Sequence, residues 1–359
     1  MNSPATVTVA ARLLEEAGFG RVPFTLEPLP GGRNNRVARL VTAAGAEALL
    51  KCYFHHPRDP RDRLATESAF LRHLERCGAR LAPRLYTTDA ASHTALLEYI
   101  HGTPFRLATI DAADVDQAAE FFRQANAARA SDAARAIPVA SEACFSIVEH
   151  LENTGRRVDR LGGLLIEDDL DRDAHALVRD ELIPQWREIQ ASLLARWPNP
   201  DLRRAPLAPA ERCLSPSDFG FHNALREADG HIRFLDFEYA GWDDPAKLIC
   251  DFANQPDLLL PRALSQRFRD AVLALQPAPE ALRQRAEALD PLYQVKWACI
   301  CLNDFLPAGR TRHHFTAGAA ADHRTRRAAQ LDRARQMLAL ATAASSAPEI
   351  STALPWTTP

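Results

Sequence analysis

The feature that most constrains this chain is the stretch from Leu214 to Trp242, LSPSDFGFHNALREADGHIRFLDFEYAGW. Two short apolar segments in it flank Asp229-Gly230, and a turn of this kind between apolar segments predicts a tight β-hairpin. The hairpin would bring Asn223, at its entrance, close to Asp236, at its exit. A carboxylate and an amide oxygen that face each other suit a hard cation such as Mg²⁺. The stretch therefore predicts a metal site, with Asp218 just upstream placed to accept a proton from a hydroxyl nucleophile.

This stretch resembles the catalytic core of the aminoglycoside phosphotransferase and choline kinase superfamily, whose members share the protein-kinase fold. The family has a His-Gly-Asp-x-x-x-x-Asn loop, a hairpin and an Ile-Asp-Phe-Glu segment, and Asp218, Asn223 and Asp236 have the same spacing. The sequence differs where Pro216-Ser217 replaces His-Gly and Phe221-His222 replaces Pro-Gly. The resemblance implies ATP and Mg²⁺ as cofactors, Asn223 and Asp236 as magnesium ligands and Asp218 as the catalytic base. The alternative is that these polar residues only cap turns and helices.

A second group of motifs lies in the first hundred residues. The stretch from Phe24 to Val41 predicts two strands joined at Gly31-Gly32, where the backbone can approach a phosphate closely, although such a pair can also be only a turn. The next apolar strand contains Lys51, and a lysine is costly to bury without a partner. Glu67, in the helix predicted from Arg61 to Leu74, is an available partner. The alternative for this glutamate is a solvated position on its helix.

The order of glycine hairpin, strand lysine and helix glutamate is similar to that of kinase-like N-lobes. The resemblance implies that Lys51 contacts the nucleotide phosphates, with Gly31 and Gly32 nearby, and that Glu67 holds the lysine in place. The apolar strand that ends near Glu98 resembles the hinge of such proteins. The main chain from Glu98 to Ile100 is therefore expected to hold adenine.

Most of the remaining sequence predicts helices. From Asp111 to Trp197, and again from about Pro261, apolar residues recur at helical spacing between breaks at proline and glycine. With the motifs above, this pattern predicts an α/β (α+β) chain of two-lobed, protein-kinase-like fold, with a small sheet-bearing N-lobe and a mostly helical C-lobe. Residues 1–100 are expected to form the nucleotide-binding N-lobe, residues 101–340 the catalytic and acceptor-binding C-lobe, and residues 341–359 a disordered tail.

The composition favours a small-molecule acceptor as the partner. A formal net charge of −3 gives no general attraction to nucleic acid or to an anionic membrane surface. No apolar run approaches the roughly 20 residues that a membrane span needs, and no export signal is expected from the N-terminus. The seven cysteines include no Cys-x-x-Cys pair and most have apolar neighbours, which indicates reduced thiols and a cytoplasmic location. No feature of the sequence predicts an oligomeric state.

The chemical identity of the acceptor is the property that the sequence constrains least. A sugar or other polyol is favoured, and an aminoglycoside, choline or a homoserine-like alcohol is also consistent with the resemblance. A cationic acceptor would need clustered carboxylates or an aromatic cage. Lys296 could line the pocket, although a lysine that extends from a core helix to solvent is the favoured interpretation. Asp251 matches a family aspartate that braces the catalytic loop, so a structural role is expected. The candidates for a cationic acceptor are Glu149, Asp168, Asp169, Tyr239, Trp242 and Trp297.

Two alternatives to a small-molecule kinase remain. The altered catalytic loop is compatible with a nucleotide-binding pseudokinase that acts as a scaffold, although the complete set of Asp218, Asn223 and Asp236 argues against it. A protein kinase is disfavoured because no Ala-Pro-Glu segment follows Asp236 and the chain continues directly into Gly241-Trp242.

Overall fold

The computed structural model describes residues 3–29, 35–56, 59, 61–307 and 320–345. Five strands form one sheet in its N-terminal part: β1 (Phe24–Pro28), β2 (Arg36–Thr42), β3 (Glu47–Cys52), β4 (Leu85–Asp89) and β5 (Thr94–Leu97). Neighbouring strands are antiparallel and follow the order β1-β2-β3-β5-β4. The predicted pairing of β1 with β2 is confirmed, and Lys51 lies in the central strand.

One face of this sheet is covered by helix α1 (Pro4–Glu16). Leu13 of the helix packs with Leu40 and Leu50 of the sheet, and all three side chains are fully buried. The Ser3 side chain accepts a hydrogen bond from the first turn and so caps the helix start. This packing makes one side of β3 apolar.

The opposite side of the sheet faces helix α2 (Arg63–Arg76). Because successive strand residues point to opposite faces, Lys51 points away from α1 when its neighbour Leu50 packs against that helix. The Asp62 side chain caps α2, which begins two residues after its predicted start. The alternation within β3 therefore directs Lys51 towards the helix that contains Glu67.

The hairpin predicted within the central stretch is confirmed. Further short strands are β6 (Thr103–Pro104), β7 (Cys213–Ser215), β8 (Ala224–Arg226), β9 (Ile232–Phe234) and β10 (Gly241–Asp243). β8 and β9 are the antiparallel arms of the hairpin, and Gly230 has a φ of +88° in its turn. Glycine adopts this left-handed conformation without steric cost. β6 extends the hairpin beside β8, and β7 pairs with β10 below the loop that carries Asp218.

Helices dominate the chain after the first sheet, as predicted. They are α3 (Ala112–Asn126), α4 (Asp132–Arg135), α5 (Ile147–Arg160), α6 (Asp169–Leu177), α7 (Ile183–Arg196), α8 (Pro200–Arg204), α9 (Pro245–Ala253), α10 (Arg262–Leu273), α11 (Pro279–Cys301) and α12 (Ala320–Ser345). A π-helical turn joins α6 to α7. Helix α11 lies at the centre, in contact with α5, α9 and α12. Within the described ranges, no helix is both long and apolar enough to cross a membrane.

The segment Asp236-Phe237-Glu238 joins the sheet part of the molecule to the helical part. Asp236 accepts a hydrogen bond from Lys51 at 2.7 Å, and Glu238 accepts one from Asn35 at 2.7 Å. Between them, the ring of Phe237 packs against Phe70 of α2 with 5.2 Å between ring centroids. Each residue of the segment thus contacts the N-terminal part, and the cavity described below opens beside it.

Candidate active site

Lys51 connects Glu67, its predicted partner, to Asp236, a predicted metal ligand. Its Nζ donates hydrogen bonds to Glu67 Oε2 at 2.6 Å and to Asp236 Oδ1 at 2.7 Å. The other carboxylate oxygen of Glu67 accepts a hydrogen bond from the Phe237 N–H at 3.2 Å. Glu67 is 2% exposed, so the alternative of a solvated glutamate is wrong. The structure brings Lys51, Glu67 and Asp236 into one hydrogen-bonded group.

Two carboxylates keep Lys51 charged. Burial alone would lower the pKa of Lys51, but the negative charges of Asp236 and Glu67 outweigh burial and raise it. A buried ammonium group with carboxylates on two sides is a fixed positive charge in an orientation set by its partners. Such a group can share its charge with a phosphate oxygen that approaches Asp236.

The loop that carries Asp218 is anchored by phenylalanines. Phe219 and Phe221 are both 3% exposed, and the Phe219 ring lies 4.7 Å from the ring of Phe234 in β9. Ser217 has a φ of +70°, a left-handed conformation that costs a non-glycine residue on the order of 1–3 kcal/mol. Burial of the two rings offsets this cost. The anchored rings leave the polar residues of the loop facing the cavity.

Asp218, Asn223 and Asp236 line one cavity of about 410 Å³. The Asn223 Nδ2 donates to the main-chain oxygen of Asp218 at 2.9 Å, which fixes the two ends of the loop relative to each other. His222 Nε2 lies 3.0 Å from Asp218 Oδ1, so a protonated Nε2 donates a hydrogen bond to that carboxylate. No role was predicted for His222 from the sequence. A histidine one helical turn after the loop aspartate is the signal that could have identified it.

Asn223 and Asp236 fit a magnesium ion by their donor chemistry. Because the amide nitrogen of Asn223 faces the main-chain oxygen of Asp218, its amide oxygen is directed elsewhere. The N–H of Leu235 donates to the Asn223 carbonyl at 2.8 Å, which keeps Asp236 next to the asparagine. The Asp236 side chain is 35% exposed, and its backbone φ is +65°. One amide oxygen and one accessible carboxylate are ligands that Mg²⁺ accepts while it retains positions for phosphate oxygens and water.

The residues predicted to hold adenine follow β5 directly, at the connection to the helical part. The Glu98 N–H donates to the Arg84 carbonyl at 2.9 Å, and the Glu98 side chain accepts from Arg233 at 2.6 Å. The Glu98 N–H is therefore already used within the protein and is not available for the predicted contact with adenine. Ile100 is buried. The predicted phosphate-binding residues Gly31 and Gly32 lie outside the described residues.

Glu238 is a cavity residue to which the sequence analysis gave no role. It is 1% exposed, accepts a hydrogen bond from Asn35 and lies 3.7 Å from the Nε of Arg63. Burial, followed by the charge of Asp236, raises the pKa of Glu238. The signal in the sequence was an acidic residue two positions after the predicted metal ligand. Glu238 links the cavity to the end of the glycine-containing segment.

Six carboxylate side chains line the cavity, but only two of the six residues predicted as candidates for a cationic acceptor do so. Among the candidates, Tyr239 and Trp297 line the cavity. The other four have partners elsewhere: Trp242 with Ala134, Glu149 with Phe145, Asp168 with Arg327, and Asp169 with Arg324. The predicted candidates therefore do not assemble into a carboxylate cluster or an aromatic cage.

Lys296 does not extend to solvent, so the favoured interpretation of this residue was wrong. It is 5% exposed, lines the cavity and donates to both carboxylate oxygens of Asp251 at 2.7 and 2.9 Å. The reason is the position of α11, which is enclosed by neighbouring helices and offers its lysine no short path to bulk water. Lys247 also lies 3.2 Å from Asp251. Asp251 thus joins α9 to α11 through Lys296, and Lys247 pairs with it within α9.

A comparison of the sequence with models of known families finds a match over the region that contains the motifs. The model of the phosphotransferase enzyme family, APH, matches residues 25–288, which include all the predicted site residues. A search among curated proteins finds no significant match.

Solved structures with a similar fold are phosphotransferases. The chain superimposes on Plasmodium vivax ethanolamine kinase (13% identity, TM-score 0.58, 95% of this chain and 89% of that chain), on choline kinase LicA from Streptococcus pneumoniae (14%, 0.56, 94% and 99%) and on spectinomycin phosphotransferase APH(9)-Ia in complex with ADP and spectinomycin (12%, 0.58, 94% and 98%). At these identities the likeness concerns the fold alone. It confirms the predicted two-lobed, protein-kinase-like fold.

Proposed function

This chain belongs to the APH phosphotransferase enzyme family, and from that membership we propose that it transfers the γ-phosphoryl group of ATP to a hydroxyl of a small molecule in the presence of Mg²⁺. Residues 1–100 bind the nucleotide in this proposal, and residues 101–340 provide the catalytic residues and the acceptor site. A sugar or other polyol is the favoured acceptor. Similar structures include kinases of ethanolamine and choline and a phosphotransferase of spectinomycin, so alcohols that carry nitrogen are the alternative.

The observation that carries this proposal is the convergence of Asp218, Asn223 and Asp236 on one cavity, with Lys51 bonded to Asp236. These residues come from a loop, a hairpin and the sheet, yet they supply a carboxylate for a proton, two oxygen ligands and a buried positive charge. Phosphoryl transfer requires little covalent chemistry from the protein, so positioning and charge neutralisation account for most of its catalysis. The arrangement provides both.

In the proposed reaction, the acceptor oxygen forms a bond to the γ-phosphorus while the bond from that phosphorus to the β,γ-bridging oxygen breaks, and ADP leaves. Asp218 accepts the proton of the acceptor hydroxyl. His222 orients Asp218 through its hydrogen bond to Oδ1, and Lys51, held by Glu67, steadies the phosphates. When bound by Asn223 and Asp236, magnesium would neutralise the negative charge of the phosphates.

The direct test combines nucleotide binding with transfer. The protein is titrated with ATP and Mg²⁺, and is then incubated with pooled small hydroxyl compounds while ADP and phosphomonoester products are measured against protein-free and EDTA-treated controls. We expect Mg²⁺-dependent ATP binding and a product that requires an acceptor. Failure to bind ATP would overturn the proposal. ATP binding without transfer to any acceptor would favour the scaffold alternative that the altered loop at Pro216-Ser217 motivates.

A further inference from the structure

Three helices of the C-terminal part place side chains with hydrogen-bond donors on one wall of the cavity. Arg157 comes from α5, Lys247 from α9, and Lys296 and Trp297 from α11. We call these four residues the basic wall. Lys247, Lys296 and Trp297 are 3%, 5% and 8% exposed, so the wall is a built part of the interior and not a set of mobile surface chains. It borders the same space as Asp218, away from the sheet that carries Lys51.

The carboxylates near the basic wall are already neutralised by protein cations. A cationic acceptor would have to displace one of these partners, and breaking a buried ion pair is strongly unfavourable. The pairs are Glu142 with Arg157, Asp251 with Lys247 and Lys296, and Asp257 with Arg333. The wall therefore offers no ready site for an ammonium group within the described residues.

The Lys296 ammonium has three N–H donors, and two of them are used by Asp251, so one is available to a ligand in the cavity. Burial lowers the pKa of Lys296, the Asp251 carboxylate opposes this effect, and the nearby charges of Lys247 and Arg157 lower the pKa further. Lys247 and Lys296 share Asp251, and Lys247 also pairs with Asp243. An anion in the cavity would stabilise the charged form of Lys296.

An independent observation comes from Trp297. Its indole Nε1 is buried and has no hydrogen-bond partner among the described residues. A buried donor without a partner costs about 1–3 kcal/mol, which a ligand with an acceptor atom would recover. By contrast, the indole of Trp242, outside the cavity, donates to the Ala134 carbonyl at 3.0 Å.

We propose that the phosphate acceptor is a hydroxy acid, whose carboxylate binds to Lys296, Lys247 and the indole N–H of Trp297 while one of its hydroxyls faces Asp218. This inference rests on the proposed function and specifies its substrate class. A hydroxy acid keeps the hydroxyls of a polyol and adds a carboxylate that can accept hydrogen bonds from the basic wall. An ammonium-bearing acceptor does not match this wall, because its positive charge would face Lys296 and Lys247.

The test uses probes that differ at one carbon. Gluconate, sorbitol and glucamine share a six-carbon chain of hydroxyls and end in a carboxylate, a hydroxymethyl and an aminomethyl group. Each is titrated into the protein loaded with Mg²⁺ and ADP, and heat or intrinsic fluorescence is measured. Glycerate, glycerol and 3-amino-1,2-propanediol repeat the comparison for a shorter chain. We expect the carboxylate member to bind at least tenfold tighter than its neutral counterpart in one or both sets, and the amine to bind weakest.

Two variants locate the bound carboxylate. Trp297→Phe removes only a donor that the fold does not use, and we expect it to weaken carboxylate binding at least threefold while ADP affinity stays unchanged. Lys296→Met should weaken carboxylate binding at least tenfold and sorbitol binding less than threefold. Trp242→Phe, which removes an indole outside the cavity, is the matched control and should change nothing.

Three results would overturn the hydroxy-acid proposal: equal or tighter binding of the amine, no binding of any probe up to 50 mM, or carboxylate binding that both cavity variants leave intact. Because binding is measured with ADP already in place, these failures are distinct from failure of the proposed phosphotransfer. That failure would appear as an inability to bind nucleotide or to form ADP from ATP.

Discussion

At the residue scale, the two aspartates of the cavity have different partners. Asp218 faces a histidine, whereas Asp236 holds a charged lysine and adopts a left-handed backbone conformation. A partly exposed carboxylate in the group held by Lys51 suits a cation. The carboxylate beside His222 lines the cavity, where the proposed function gives it the proton of the acceptor hydroxyl. In the proposed function the same type of side chain therefore serves two roles because its neighbours differ.

Asp218→Asn should separate chemistry from binding. The variant keeps the shape of the side chain and an oxygen that can accept from His222, but it loses the charge that takes the proton. We expect transfer to slow by roughly 10²–10⁴-fold while ATP affinity changes by no more than a few-fold. ATP titration and single-turnover transfer are measured on the same preparation. Normal turnover would make Asp218 a structural loop residue, and loss of ATP binding would show that it holds the site together.

A comparison of Asp236→Ala with Asp229→Ala separates the loss of a metal ligand from disturbance of the hairpin that carries it. Removal of a magnesium ligand should abolish Mg²⁺-dependent ATP binding, and it also leaves Lys51 with one carboxylate fewer. Asp229→Ala is the control, because Asp229 lies at the exposed turn of the same hairpin, where it contacts His231. ATP affinity is measured for both variants across a magnesium titration. Equal losses would show that the hairpin, and not a metal ligand, had been disturbed.

At the scale of elements, the loop between β7 and β8 depends on two buried rings that follow its aspartate in the sequence. Phe219 and Phe221 insert into a cluster that includes Phe234 and Phe252. Rings in such clusters contribute through burial and through their edge and face contacts. The packed rings therefore hold the loop rigidly beneath its polar residues. Their burial compensates for the left-handed backbone at Ser217.

Phe219→Ala should show that the ring packing beneath the loop contributes to catalysis as well as to stability. Loss of a buried phenylalanine costs about 3–5 kcal/mol of unfolding free energy, and the loop that carries Asp218 would lose its anchor. Phe268→Ala is the matched control, because Phe268 is fully buried and stacks on Phe252 with 3.8 Å between centroids, but lies on α10. Denaturant unfolding should give similar losses, whereas kcat at low temperature should fall mainly for Phe219→Ala. Equal kcat values would contradict the anchoring role.

At the scale of the whole molecule, a buried charged cluster holds the helices of the C-terminal part together. Asp244, at the start of α9, accepts hydrogen bonds from Arg285 of α11 and pairs with His150 of α5 at 3.2 Å. Tyr293 of α11 completes the group with a 2.8 Å contact to the other ring nitrogen of His150. The cluster therefore joins the helices that carry the basic wall.

This cluster should make stability fall at alkaline pH. Burial favours neutral His150, but the adjacent Cys144 and Asp244 outweigh it and raise the pKa of His150 to about 9. A raised pKa stabilises the fold fully below the unfolded value, near 6.5, and this stabilisation is lost as pH rises through 9. The free energy of unfolding should fall by on the order of 3 kcal/mol across that interval.

The measurement is chemical denaturation of the wild type and of His150→Asn at several pH values from 6 to 9.5. Asn keeps a hydrogen-bond donor but does not titrate. We expect the variant to be less stable at pH 6.5 and to show a flatter dependence above it. Parallel curves for the two proteins would assign the alkaline loss to other groups.

The sequence by itself determined the local parts of the site. The turn at Asp229-Gly230 fixes the register of the hairpin, and the register fixes how near Asn223 lies to Asp236. Strand alternation turns Lys51 away from the face that packs against α1, and its high cost of burial required an acidic partner such as Glu67. Each of these relations depends on the period of one element or on one short turn, so the order of residues is enough to predict it.

Only the tertiary structure decided which side chains from different helices meet. Lys296 pairs with Asp251 because α11 is enclosed and rotated towards α9, and Trp297 faces the cavity whereas Trp242 bonds to Ala134 outside it. The rotation and crossing of packed helices depend on the fit of many side chains at once, and a sequence period does not specify them. The same holds for the charge at the basic wall, which depends on the pairing of each carboxylate and not on the number of carboxylates present.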